Sequence, residues 1–385
     1  MALPAPALAQ DAPAPAPAPS ASSEWSIAPR GRLQLDAGTV STPPGIVGNK
    51  TDFRDEVRRA YIGADVKMPG GFALRAEIDV APDVVEFTDL YLTYKPTKEL
   101  TFTVGQHKPF WGLEELTSDL FPSFAERAAL NTSFGHERRL GLSAAWTKGP
   151  VLVQGGAFTR HTLDLDESNK QKLSLHGRVV FMPKLGASQL HLGATLHRTD
   201  HDDLVSVNYR LRPLIHSTDT RFISTGAISQ VDAELGYGLE AAWIKGPFHV
   251  TGEARWQHVD RAGALPDPTF FGGYAEVGYF LTKGDTRGYK GGVFDRVTPK
   301  RPVGKGGFGA VQLNLRYDYL DLIDGPIIGG RQNGFGTALV WTPTAHTRFI
   351  ANYGRLNYSH AAIPATGGDR DYSVDAFGLR AQFDF

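Results

Sequence analysis

The side chains in this sequence with chemistry to offer are basic ones. Arg58 and Arg59 sit together in Glu56–Ile62 (EVRRAYI), Arg75 and Arg139 fall on polar faces of alternating segments, and Arg210 and Arg212 share one side of Asn208-Tyr209-Arg210-Leu211-Arg212. Lys108 is held between His107 and Pro109. A planar guanidinium stays charged and binds two oxygens of a phosphate or carboxylate at once. A row of such groups therefore offers successive oxyanion sites. Arg32, Arg178, Arg255, Arg316 and Arg380 also lie on polar faces, and the competing reading for each is an ion pair with an acid such as Glu77 or Glu253.

Covalent chemistry has no foothold. There is no Gly-x-Ser-x-Gly, no His-Glu-x-x-His and no Walker A sequence, so no enzyme is expected. Gly304-x-Gly306-x-x-Gly309 matches a dinucleotide fingerprint as a string, but that motif needs a helix after it. Here a strand pattern follows, so it reads as a turn. His197 and His201 are four apart, at a strand end and in a loop, with no second ligand set at metal spacing, so neither metal nor cofactor is expected. Glu114-Glu115 reads as the acidic start of a short helix.

The elements that carry these residues alternate. Phe72, Leu74, Ala76, Ile78 and Val80 interleave with Arg75, Glu77 and Asp79; Val311, Leu313, Leu315, Tyr317 and Tyr319 interleave with Gln312, Asn314, Arg316 and Asp318. Such segments recur about sixteen times, at approximately 25–40, 56–67, 71–80, 86–95, 98–108, 136–147, 150–160, 172–182, 189–199, 236–244, 247–259, 269–282, 307–321, 332–342, 346–358 and 371–385. Most connections after even strands are short and carry aromatic, Lys, Pro or Gly residues (YKPTKE, WTKGP, WIKGP, WTPTAH). Long ones follow odd strands, at 41–55, 109–135, 161–171, 200–235 and 359–370; the even connection 283–306 is the exception. Short turns on one side and long loops on the other predict an all-β fold, a transmembrane antiparallel barrel with its apolar face toward lipid. The long aromatic segment Gly105–Asn131 is expected to fold into the bore and set its width. The last strand, ending Phe383-Asp384-Phe385, must seal against the first.

Bulk properties fit this class. Mean hydropathy is −0.24 and no run of 18 apolar residues exists, which excludes a membrane helix but not barrel strands. The 385 residues contain no Cys, which suits passage through an oxidising periplasm. Net charge is −1, so ion preference must come from local placement and no nucleic acid partner is expected. Residues 1–9 read as the remnant of a secretion signal, 10–24 as a Pro/Ala-rich tail, and 25–385 as the barrel.

The segments EVRRAYI (Glu56–Ile62), GQHKPFWGLEEL (Gly105–Leu116), FAER (Phe124–Arg127), ERRLGL (Glu137–Leu142), Tyr209–Pro213 with Thr225-Gly226, GLEAAWIKGP (Gly238–Pro247) and YFLTKGDTRGYKGGVFDRVTP (Tyr279–Pro299) together resemble the phosphate-selective porins of Gram-negative outer membranes. The resemblance implies a sixteen-stranded barrel in the outer membrane, a homotrimer, inward loops, an arginine ladder, and a constriction with a lysine and an acidic residue. Arg58 and Arg59 resemble ladder members on the wall, Arg210 and Arg212 the ladder on an inward loop, and Lys108 the constriction lysine; Asp89 is the match for its acidic partner. Expected partners are phosphate or other small anions, the lipid bilayer and lipopolysaccharide, and the barrel-assembly machinery through Phe385. The sequence departs from the family where Arg212-Pro213 is followed by Leu214 rather than Glu, and where His107 replaces a bulky aromatic. The function implied is diffusion of small anions; the alternatives are a weakly selective porin or a plugged barrel with a binding or structural role.

Overall fold

The computed structural model describes residues 24–46, 53–81, 85–165 and 172–385. The expected signal remnant and nearly all of the Pro/Ala tail lie outside these residues, as do parts of loops 41–55 and 161–171. Sixteen wall strands follow in order: β1 (Ser26–Ser41), β2 (Arg54–Met68), β3 (Phe72–Asp79), β4 (Glu86–Tyr94), β5 (Leu100–His107), β6 (Arg139–Lys148), β7 (Val151–Phe158), β8 (Lys172–Phe181), β9 (Ser188–Val207), β10 (Ile228–Lys245), β11 (Phe248–Arg261), β12 (Thr269–Phe280), β13 (Ala310–Asp324), β14 (Ile327–Thr344), β15 (Thr347–Ser359) and β16 (Tyr372–Asp384). Lys184–Leu185 adds a short pairing in the turn between β8 and β9. Each strand pairs antiparallel with the next. The sheet closes where β16 pairs with β1 from Arg32 opposite Asp384 to Ser41 opposite Asp375. Gly31 and Phe385 exchange two backbone hydrogen bonds of 3.1 Å at the seam. Closure leaves no strand edge unpaired, which hydrocarbon requires because it offers no hydrogen-bond partner.

Polarity is inverted relative to a water-soluble sheet. On β13, Gln312, Asn314 and Arg316 are buried inside, while Leu315 is 52% exposed on the outer surface. The outer face carries two aromatic bands. One lies near the short turns, where Trp243 meets Phe248 and Phe308 stacks on Trp341 at 5.1 Å. The other is made by Tyr237, Trp256, Phe271 and Tyr319. Phe248 and Trp256 on β11 stand about 26 Å apart along the strand at about 3.3 Å per residue, or about 20 Å of height at the usual strand tilt, most of a barrel's apolar band.

The strand spans match the sequence reading, with two enlargements. β9 runs on well past 199 and β10 starts well before 236, the two staying paired through an irregular stretch between Asp200 and Val207. The expected loop 200–235 therefore shrinks to the segment between Val207 and Ile228. His197 and His201 both lie on β9. The parity of connections breaks on both sides: β13 and β14 meet at a tight turn through Gly325, and the long even connection 281–309 turns back into the bore. There Gly288–Lys290 pairs with Val293–Asp295 in a small hairpin, and Phe294 packs with Leu113, Ala242 and Ile244. Gly304, Gly306 and Gly309 all take positive φ ahead of β13, as a turn requires and a dinucleotide loop does not.

Candidate functional site

The bore is narrowed by the segment between β5 and β6, which enters the lumen and carries helices α1 (Leu113–Leu116) and α2 (Ala129–Phe134). Its docking explains the buried arginines. Arg255 donates to the Trp111 carbonyl at 2.9 Å and stacks over the Trp111 ring. Arg316 donates to Glu114 at 2.6 Å and to Glu276 at 2.7 Å. Arg348 donates to the carbonyls of Leu120 and Pro122, and Arg380 to that of Ala125 and to Glu126. Arg178 bonds Glu240 and the Gly292 carbonyl of the inner hairpin. For Arg178, Arg255, Arg316 and Arg380 the ion-pair reading is the one realised; these groups hold loops and acids rather than face the bore.

Glu114 and Glu115 do not cap α1. The amides of Leu113 and Glu114 donate instead to Glu253 on β11, at 3.0 and 2.7 Å, so a wall carboxylate occupies the positive end of the helix. Glu114 accepts from Ala128 N, Asn131 and Arg316. Gly112 makes this corner possible. Its φ is +80°, and a Cβ there would lie 2.0 Å from Arg255 Nη2 and 2.3 Å from Glu253 Oε2.

Three cavities follow one another past this loop. An outer one of about 640 Å³ is lined by Arg54, Asp219, Arg221 and Ile215 among others. A central one of about 430 Å³ shares Ile215 with it and carries Arg58, Arg59, Lys108, Arg127, Arg138 and Arg212. An inner one of about 310 Å³ carries Arg30, Arg32 and Arg75. Lys108, Asp119 and Arg138 line both the central and the inner cavity, so they stand where the two meet, here called the neck. The inner cavity presents five cations, Arg30, Arg32, Arg75, Lys108 and Arg138, against Asp89 and Asp119.

Each neck group is poised by a partner. Lys108 Nζ donates to the Glu115 carbonyl at 2.6 Å and lies 3.5 Å from its carboxylate. A fifth of the Lys108 side chain faces the bore. Burial, with Arg127 nearby, pushes its amine down to about 7, against the pull of Glu115. Asp119 is bridged by Arg32 and by Arg59 at 2.8 Å. Burial alone would raise its pKa, but Arg32, Arg59 and Arg127 hold it well below the usual carboxylate range. Arg58 meets Glu126 at 3.0 Å, and Arg75 meets Asp65 at 2.7 Å.

Of the expected site residues, Arg58, Arg59, Arg75, Lys108, Asp89 and Arg212 line this passage. Asp89 stands beside Arg138, at 2.5 Å, while the acid next to Lys108 is Glu115. Arg210 is exposed on the outer loop, and Arg212 is tied to Asp219 at 3.2 Å. Arg139 departs from the expectation. It lines none of the three cavities and donates to His136 Nδ1 at 3.4 Å, because β6 begins at Arg139 and points it away from Arg138. Sequence reasoning passed over Arg30, Arg127 and Arg138. Arg138 had a signal, since it sits beside Arg139 in ERRLGL with the opposite facing.

A closed sixteen-stranded barrel with a lipid-facing surface, an inward loop and a cation-lined passage defines a porin, a channel of the bacterial outer membrane. Residues 27–385 match the family model of phosphate-selective porin O and P, and the chain belongs to that family. It is 43% identical over 374 residues to an uncharacterized protein of Caulobacter vibrioides, covering 94% of this chain and 75% of that one. It is 27% identical over 343 residues to Porin O of Pseudomonas aeruginosa, covering 79% of this chain and 75% of that one. Among solved structures, the anion-selective porin from Comamonas acidovorans superposes with a TM-score of 0.61 at 12% identity, over 94% of this chain and all of that one. The outer membrane channel DcaP of Acinetobacter baumannii gives 0.57 at 12% identity, over 95% and 99%.

Proposed function

We propose that this porin passes small anions by diffusion and favours phosphate or polyphosphate. The observation that carries the reading is the neck itself, where Lys108 and Arg138 face both the central and inner cavities, with arginines above and below. Arg54 and Arg221 draw anions to the outer mouth, Arg58, Arg59 and Arg212 receive them, and Arg75 and Arg30 pass them on. Most of these cations have an acid within 4 Å. Pairing weakens each site, and conduction needs several moderate sites rather than one tight one. The family name and the anion-selective porin of similar fold support the same reading. Assembly as a homotrimer belongs to the proposal, with support from the trimer form of Vibrio cholerae OmpT, a structure of similar fold.

The test is the reversal potential of single channels in a planar bilayer under a chloride gradient, repeated with phosphate. Anion preference with block of chloride current by phosphate supports the proposal. Anion preference without block leaves a general anion porin. Cation preference overturns it and means the acids prevail in the bore.

A further inference from the structure

Three histidines that are far apart in sequence meet behind the constriction. His136 follows α2 on the inward segment, His176 comes from β8 and His197 from β9. Their candidate ligand nitrogens all lie within 4.8 Å of one another. The rings stand at centroid distances of 4.4 to 5.3 Å, and Trp111 closes one side. His176 and His197 are buried, while His136 also borders the central cavity, so the group is reachable from the bore.

Hydrogen bonding leaves one nitrogen of each ring without a partner: His136 Nε2, His176 Nδ1 and His197 Nδ1. For His197 the tautomer can be deduced. The Gln257 amide nitrogen donates toward Tyr209 Oη and Glu234 Oε2, so its carbonyl Oε1 faces His197 Nε2 at 3.1 Å. Oε1 only accepts, so Nε2 carries the proton and Nδ1 presents a bare lone pair. His176 Nε2 lies 2.8 Å from Ser174 Oγ, which is itself 2.7 Å from Thr199 Oγ1. Both hydroxyls can donate or accept, and the His176 ring also meets the Phe110 backbone, so a metal at Nδ1 requires the His176 proton to sit on Nε2, donated to Ser174. An outer partner holding the distal ring N–H is how metal-binding histidines are oriented.

We infer that His136, His176 and His197 bind a divalent transition metal of the zinc, copper or nickel kind, which fastens the inward segment to the wall. Three imidazoles suit these ions, whereas magnesium and calcium require oxygen donors. Zinc–nitrogen bonds of about 2.0–2.1 Å need ligand nitrogens about 3.3 Å apart, so closing the site requires His136, the one ligand on a loop, to move inward and the near-parallel His176 and His197 rings, 15° apart, to turn toward a common point. Arg139 opposes binding: its donation to His136 Nδ1 places the proton on Nε2. Loading moves that proton to Nδ1 and turns Arg139 away.

The experiment uses the full-length folded protein in detergent, stripped with a chelator and dialysed against micromolar zinc, with bound metal counted by mass spectrometry. Copper is then substituted and its electron paramagnetic resonance recorded. One zinc per chain and nitrogen couplings on copper are expected. His136→Ala should abolish retention and Gln257→Leu should weaken it about 10–100-fold. Arg139→Gln should tighten it, and His258→Gln, outside the cluster, should leave it unchanged. Heat-modified gel mobility checks folding, with His176→Gln as the second ligand variant. No retained metal, retention unaltered by loss of His136 or His176, or copper without nitrogen coupling overturns the inference and makes the cluster a pocket for buried water.

Discussion

In the proposed passage Lys108 is the pivotal residue, because it lines two cavities and burial lowers the pKa of its amine. With its amine at about 7, the charge is present below that pH and lost above it, while Glu115, held low by Arg127 and Lys108 despite burial, stays ionised. Anion preference should therefore fall as pH rises from 6 to 8.5, and Lys108→Arg should flatten the dependence; reversal potentials across that range check both. Lys108→Glu should lower or reverse the preference, and an unchanged reversal potential would remove this lysine from the mechanism. Asp119 makes the opposite case. It pairs with both Arg32 and Arg59, but Arg32 also holds Glu77 at 3.2 Å, so Asp119→Asn should release chiefly the Arg59 guanidinium toward the bore. Phosphate block should become tighter and chloride conductance lower, read from single-channel current against phosphate concentration.

At the scale of elements, the inward segment is a scaffold held by the wall. Its conformation is set at Gly112, where positive φ and the closeness of Arg255 and Glu253 leave no room for a side chain. Gly112→Ala forces the corner away from both. The positive-φ extended backbone there (φ 80°, ψ 169°) is essentially confined to glycine and costs about 1–3 kcal/mol for a residue with a Cβ, and breaking the hydrogen bonds that Arg255 and Glu253 make to the corner adds to it. The expected result is a wider, noisier channel with weaker anion preference, measured as single-channel conductance. The strands were legible in the sequence because their signal is local: Leu313, Leu315 and Tyr317 alternate with Asn314 and Arg316, and two-residue periodicity needs no knowledge of neighbours. The anchoring was not legible. Glu253 reaches α1 across about 140 positions, and His136, His176 and His197 come from three elements with no common spacing. Arg139, not Arg138, was the site residue expected from the sequence, and the start of β6 places the other one of the pair at the cavities.

For the whole molecule, the barrel is polar within and apolar without, so the cost of a substitution depends on which surface it meets. Leu315 faces lipid in the middle of β13. Leu315→Arg should destabilise the folded barrel by about 2–4 kcal/mol near the bilayer midplane, seen as a lower midpoint of denaturant unfolding from lipid vesicles. The porin class was readable from the parity of connections, although connection 281–309 and the Gly325 turn each break it; selectivity was not, since it depends on which arginines the acids occupy.

The anchors of the inward segment also fix an order of events. Arg255, Arg316, Arg348 and Arg380 belong to β11, β13, β15 and β16, all in the second half of the chain, and Arg380 lies on the strand that closes the seam. The segment they hold is made long before them. Its final place needs contacts on all four of these strands, the last of them on the strand that closes the seam, so docking of the segment and closure of the ring are expected to be coupled. A barrel closed before the segment docks would leak, and conductance recorded during refolding into vesicles would show whether the two events coincide.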